Sequence, residues 1–110
     1  MDAVLKAIAE PNRRRILSLV RDEELSAGAI ASEFDVSGPA ISQHLRVLRD
    51  AGLVDERRSG TRRLYSLRPE GLVGIKEFLD GFWSEGLQRL KYAAEAEERK
   101  KRRRSRRATA

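Results

Sequence analysis

Apolar residues recur along the chain at helical spacing in a series of short stretches, with one stretch that alternates instead. Val4, Leu5 and Ile8 fall on one face of a first helix over Ala3 to Ala9. Glu10-Pro11 interrupts it, since the residue before a proline avoids the helical region while proline itself suits the first turn of the next helix. That next helix, about Pro11 to Arg21, turns Ile16, Leu17 and Val20 inward and leaves Arg13 and Arg14 exposed, and Asp22-Glu23-Glu24 ends it as a polar turn. Ser26 is a suitable N-cap for a short helix, Ala27 to Phe34, with Ala27, Ile30, Ala31 and Phe34 on its apolar side. Asp35-Val36 is a tight connection. Ser37 then caps a further helix in which Pro39 holds an early position and Ile41, Leu45 and Leu48 form an i, i+4, i+7 stripe up to Ala51. Gly52 fits the left-handed residue that ends such a helix. Two helices of about eight and twelve residues joined by a very short turn make a helix-turn-helix.

Beyond it, Leu53 to Arg58 and Arg62 to Leu67 flank Ser59-Gly60-Thr61, which reads as a β-hairpin with a glycine at its tip. Arg68-Pro69-Glu70 closes the hairpin and opens a long helix, in which Leu72, Ile75, Leu79, Phe82, Trp83, Gly86, Leu87 and Leu90 recur at helical spacing to about Ala96. From Arg99 the composition turns basic and simple, without an apolar residue until Ala108, and is expected to be disordered. The fold class is mainly α with a small β-hairpin (α+β). Residues 1–97 form one domain and residues 98–110 a disordered basic tail.

Charge sharpens this division. The 110 residues carry a formal net charge of +6, which suggests a polyanionic partner. Eight basic residues and no acid lie between Arg99 and Arg107, however, so the other charged side chains sum to −2 over residues 1–98. Within that body the balance is −2 over residues 1–35, +4 over residues 36–68 and −4 over residues 69–98. Positive charge gathered in the middle of an acidic body is what a nucleic-acid footprint requires, because phosphate contacts converge on one face. The absence of cysteine excludes disulfides, thiolate metal sites and thiol nucleophiles. No apolar run approaches a spanning helix and Met1–Arg15 lacks a signal-peptide core, which points to a cytoplasmic protein with no membrane partner. No helix or loop gathers acid, base and nucleophile candidates, so no enzyme is expected.

The helix beginning at Ser37 carries the chemistry. With Ile41, Leu45 and Leu48 inward, Gly38, Pro39, Ser42, Gln43, Arg46 and Arg49 face outward. Small residues at the start let the helix approach base edges. Ser42 and Gln43 can hydrogen-bond to bases, Gln pairing well with adenine, and Arg46 or Arg49 can reach guanine or phosphate. An ordinary polar helix face is the alternative, but the neighbouring hairpin clusters Arg57, Arg58, Arg62 and Arg63 at one tip, where their mutual repulsion calls for an anion. Strand alternation prevents all four from pointing the same way. His44, the only histidine, admits a ligand or pH-switch reading; its place beside the Leu45 stripe favours packing within the motif or an approach to phosphate.

Three runs, Ala7 to Leu17, Leu25 to Ala31 and Val36 to Val54, together resemble winged helix-turn-helix repressors of the ArsR/SmtB type over about residues 2–92. The resemblance implies a homodimer paired through its first and last helices, with a recognition helix in the major groove of double-stranded DNA and wings reaching outward. Metal-sensing relatives carry Cys-x-Cys where this chain has Ser26 and Gly28, or His and carboxylate ligands on the last helix, where this chain has Glu77, Asp80 and Glu85 without a histidine. It is therefore similar to the metal-independent, SdpR-like branch, with no metal or other cofactor expected. An unidentified small-molecule inducer stays open as a partner. The wide apolar face of the last helix fits dimerisation, with Leu79, Phe82, Trp83, Leu87 and Leu90 covered by a symmetry mate together with Val4, Leu5 and Ile8; a rival reading makes Phe78, Phe82 and Trp83 a ligand pocket. The expected function is a homodimeric, sequence-specific repressor at a palindromic operator, with Gln43 and Arg46 on bases, supported by Ser42, Pro39, Gly38 and Ser37. A non-specific architectural DNA-binding protein and a protein-interaction module using the last helix are the alternatives.

Overall fold

The structure, a computed structural model, describes residues 1–82 and 85–109. The chain divides into two compact units, Met1–Ile75 and Lys76–Ala110. The first unit holds α1 (Asp2–Ile8), α2 (Pro11–Leu19), β1 (Leu25–Ser26), α3 (Ala27–Ala31), α4 (Gly38–Asp50), β2 (Val54–Ser59), β3 (Arg62–Leu67) and a 3-10 turn (Pro69–Leu72), and α5 (Val73–Asp80) begins in it and ends in the second unit.

The local signals act where the sequence places them. Glu10 caps α2 by accepting from the Arg13 amide at 2.9 Å, with Pro11 at the first helical position. Ser26 and Ser37 cap α3 and α4 by accepting from Ala29 N at 3.1 Å and Ala40 N at 3.2 Å. Gly52 ends α4 at φ 77°, with Leu53 N donating to Leu48 O at 2.9 Å; this six-to-one bond closes the helix and turns Leu53 back under it. The α4 stripe Ile41, Leu45 and Leu48 is buried against Val4, Ile16, Val20 and Ile30 from the preceding helices and against Leu53, Val54 and Tyr65 from the hairpin. The guanidinium of Arg15 lies 4.6 Å from the Phe34 ring centroid, tying α2 to the end of the α3 turn.

Several elements depart from expectation. The sheet has three strands in the order β1-β3-β2, all antiparallel. The two-residue β1 pairs Leu25 with Tyr65 and Ser26 with Leu64, covering the edge of β3 that a bare hairpin would leave open. Arg13, expected to be exposed, is half-buried: its Nε donates to Ala7 O at 2.6 Å and its Nη2 to Lys6 O at 3.2 Å, while Arg14 Nη1 donates to Ile8 O at 2.8 Å. The last carbonyls of α1 have no intrahelical partner, and the guanidiniums of α2 supply one.

The long last helix is interrupted. α5 stops at Asp80, Gly81 N and Phe82 N bond back to Glu77 O and Leu79 O, and α6 runs Glu85–Thr109. A glycine followed by bulky aromatics at this point lacks the helix propensity to carry a continuous rod. Residues 98–109, expected to be disordered, instead continue α6; Arg, Lys, Glu and Ala are strong helix formers, and no Gly or Pro interrupts them.

At Gly71 the neighbouring backbone leaves no room for a side chain. A Cβ there would overlap the Gly52 carbonyl oxygen and lie 2.9 Å from its carbon and 3.3 Å from Leu53 Cα. Backbone cannot yield as a side-chain tip does. Gly71→Ala is expected to cost about 1–3 kcal/mol, as overpacking does; a melting temperature equal to wild type would contradict that.

Candidate nucleic-acid interface

Gly38, Pro39, Ser42, Gln43, Arg46 and Arg49 are all exposed on α4, opposite its buried stripe. Ser37 has its hydroxyl engaged as the N-cap, which fixes the start of the helix.

The hairpin register sorts the four wing arginines by face. Arg58 stands directly opposite Arg63, and Glu56 opposite Tyr65, while Arg57 faces Leu64 and Ser59 faces Arg62. Directly opposed residues share a face and neighbours alternate. Arg58 and Arg63 therefore extend the face that carries Val54 and Tyr65 into the core beneath α4, and Arg57 and Arg62 lie on the reverse. The outcome is a cleft between α4 and the wing, lined by Ala27, Ser42, Arg46, Arg49, Arg63 and Tyr65. A second, more open concavity separates Ser26, Ala27 and Gly28 from Thr61, Arg62 and Arg63 at the wing tip.

Acidic residues that no motif in the sequence singles out hold three of these arginines. Arg57 Nε donates to Glu24 Oε2 at 3.1 Å and its Nη2 to the other carboxylate oxygen. This hydrogen-bonded guanidinium holds the Glu24 carboxyl below its ordinary range, so the pair persists as pH falls through the usual carboxylate titration and separates only at lower pH. Glu56 joins the two sides of the cleft: Arg49 Nη1 donates to it at 2.9 Å and Arg63 Nε lies 3.5 Å away. The hydrogen bond from Arg49 to Glu56, assisted by Asp50, raises the arginine pKa further. Among the described residues Arg46, Arg58 and Arg62 take part in no such ion pair. Only proximity in the fold reveals Glu24, which lies 33 positions from Arg57 in the chain.

Glu56→Gln is expected to raise affinity for random-sequence DNA severalfold and to narrow the gap between specific and random sites. The substitution removes the carboxylate that Arg49 and Arg63 share, releasing Arg63 and leaving Arg49 only Asp50, and with both guanidiniums about half exposed the loss to the fold is expected to be about 1 kcal/mol. Unchanged or weaker binding to random DNA in anisotropy titrations would contradict it.

His44 lies within the motif. Its Nδ1 is 3.4 Å from Arg13 Nη1 and its Nε2 4.0 Å from Glu10 Oε2, which places the ring between α4 and the α1–α2 junction. Both ring nitrogens thus face groups of this chain, in line with a packing role.

The candidate dimer residues fare unequally. Val4 is buried in the first unit's own core, because α1 packs on α2 and α4 through Val4 and Ala7; this corrects its assignment to a surface. Ile8 is half-buried against the same core. Leu5 is 45% exposed, Leu79 44%, Phe82 61% and Leu90 60%, a scale of apolar exposure that asks for a cover. Phe78 and Phe82 meet edge to face at 5.1 Å. Trp83 and the side chain of Leu87 lie outside the described residues.

A capped, outward-facing helix carried on a second helix, beside a basic hairpin that shares its cleft, defines a winged helix-turn-helix regulator. Residues 8–57 match the model of a helix-turn-helix domain. The chain is 43% identical over 86 residues to the HTH-type transcriptional regulator Rv2034 of Mycobacterium tuberculosis, covering 78% of this chain and 80% of the relative. It is 37% identical over 86 residues to the transcriptional repressor SdpR of Bacillus subtilis, covering 78% and 96%. Among solved structures, a possible transcriptional regulator for arsenical resistance aligns with a TM-score of 0.69 at 43% identity, covering 84% of this chain and 96% of that one. A homodimeric winged helix-turn-helix DNA-binding domain from Mycobacterium bovis aligns with a TM-score of 0.61 at 30% identity, covering 74% and 78%. The chain belongs to the ArsR family of winged helix-turn-helix transcriptional regulators, and it is a regulator rather than an enzyme.

Proposed function

We propose that two copies of this chain form a homodimer that occupies a palindromic operator and represses the adjoining promoter. The observation that carries this reading is the cleft in which Ser42 and Arg46 of α4 meet Arg63 of the wing. The helix is the right size and shape for a major groove, and the wing arginine lies where the adjacent backbone would run. Gln43 and Arg46 read base edges. Pro39 and Gly38 keep the first turn slim, and Ser42 adds a hydrogen bond. Arg58, Arg62 and Arg63 contact phosphate, whereas Arg57 braces the wing through Glu24.

The dimer rests on the exposed Leu5, Leu79, Phe82 and Leu90 and on the homodimeric relative from M. bovis. A twofold assembly presents two recognition helices about one DNA turn apart, which matches an inverted repeat. Repression follows the named activity of SdpR. No helix among the described residues is long and apolar enough to cross a membrane, in keeping with action on DNA in the cytoplasm.

Selection of bound duplexes from a random pool tests the reading. Enrichment of an inverted repeat with half-site centres about 10 base pairs apart is expected. Recovery of a single half-site or of no motif would overturn it. A reporter driven from the selected site should rise when the protein is removed, and a fall would reverse the sign of regulation.

A further inference from the structure

The basic end of α6 is the strongest feature that the operator-binding reading does not use. Arg99, Lys100, Lys101, Arg102, Arg103 and Arg104 are consecutive helical residues with exposed side chains. Successive residues turn by about 100°, so six in a row occupy the whole circumference of the helix. Lys100 lies 3.9 Å from Glu97, and among the described residues the other five have no ion pair. Like charges also stand four apart, as Arg99 with Arg103 and Lys100 with Arg104, an arrangement that destabilises a helix unless anions screen it.

The chemistry of this segment narrows the partner. Between Ala96 and Ala108 there is no apolar residue. An interfacial membrane helix needs an apolar face to bury, and a helix docking in a protein groove needs apolar anchors at i, i+3 and i+4. Neither is present. The linear charge density, in contrast, matches that of duplex DNA. The segment carries one cation per residue, hence one per about 1.5 Å of helix axis, and the duplex one phosphate per about 1.7 Å of its own axis.

We propose that residues 99–104 of α6 form a second, sequence-independent contact with the phosphate backbone of duplex DNA, separate from the winged helix-turn-helix. This inference rests on the protein being a DNA-binding regulator. The segment raises affinity for any duplex and adds nothing to base discrimination.

The test compares the full chain with a variant carrying R99Q, K100Q, K101Q, R102Q, R103Q and R104Q. Glutamine has a helix propensity close to those of Lys and Arg, and circular dichroism confirms retained helicity before binding is measured. Affinities for a selected site and for a scrambled duplex are then followed from low to high KCl. The expected result is a salt slope of log K shallower by about 0.9 for each phosphate that is no longer neutralised, and by roughly two or more in all. Scrambled-duplex binding should drop at least about tenfold at the low-salt end, with the same base preferences as wild type. An unchanged slope overturns the proposal. So does loss of binding to vesicles of mixed phosphatidylcholine and phosphatidylserine with an unchanged DNA slope, which assigns the segment to a membrane. Selective binding with an unchanged slope leaves the operator reading intact, whereas binding of selected and scrambled DNA alike by both proteins removes that reading.

Discussion

Arg46→Ala is expected to weaken binding to the complete operator by about 2–6 kcal/mol, since a bidentate base contact contributes about 1–3 kcal/mol of discrimination and a homodimer loses it in both half-sites. Arg46 is the arginine best placed for this. It is exposed on the outer arc of α4, lines the cleft with Ser42 and Arg63, and has no ion pair among the described residues. Arg49, three residues on, is engaged by Glu56 at 2.9 Å and by Asp50 at 3.4 Å, so Arg49→Ala should cost clearly less. Anisotropy titrations at fixed salt measure both. If Arg46→Ala lowers affinity equally for operator and scrambled DNA, the side chain contacts phosphate and the assignment to a base fails.

Leu45→Ala is expected to remove about 2–5 kcal/mol of folding stability, a large share of the roughly 5–15 kcal/mol typical of a domain. The side chain is 1% exposed at the centre of the α4 stripe, among residues drawn from the helices and the hairpin. A cavity there loosens the seat of the recognition helix as well as the core, so operator binding should fall with the folded fraction. Urea unfolding quantifies the loss, and Gln43→Ala on the exposed side of the same helix is the control, expected within about 0.5 kcal/mol of wild type. Comparable stability for Leu45→Ala and Gln43→Ala would contradict the burial assigned to the stripe.

Where one physical signal dominates, the sequence and the structure agree. Ser26 and Ser37 cap as serines before helices do, Gly52 and Gly60 adopt φ 77° and 64° where a helix stop and a hairpin tip demand positive values, and the Ile41, Leu45 and Leu48 stripe is buried. The outward arc of α4 follows from that stripe, because a helix with one face fixed has its other face fixed too. Agreement fails where the deciding partner is remote in the chain. Leu25-Ser26 is too short to show a period, and it becomes a strand through β3, some forty positions further on. Strand alternation already implies that the four wing arginines cannot all point one way, but it does not announce that Glu24 holds Arg57 or that Glu56 holds Arg63 together with Arg49 of α4. The resemblance places Val4 at a dimer interface beside Leu5 and Ile8, but Val4 is buried with Ala7 in the core of the first unit while Leu5 stays exposed. In the basic segment the composition serves both states: high charge argues against a packed core, whereas strong helix propensity, without Gly or Pro, extends α6 to Thr109.

The central claim is that the outward arc of α4 reads base sequence. Parallel selections from one random pool with wild-type protein and with Gln43→Ala test it most directly. The expected motifs are inverted repeats that agree everywhere except at one position in each half-site, where the variant tolerates several bases that wild type rejects. The same motif, equally sharp at every position for both proteins, would contradict it.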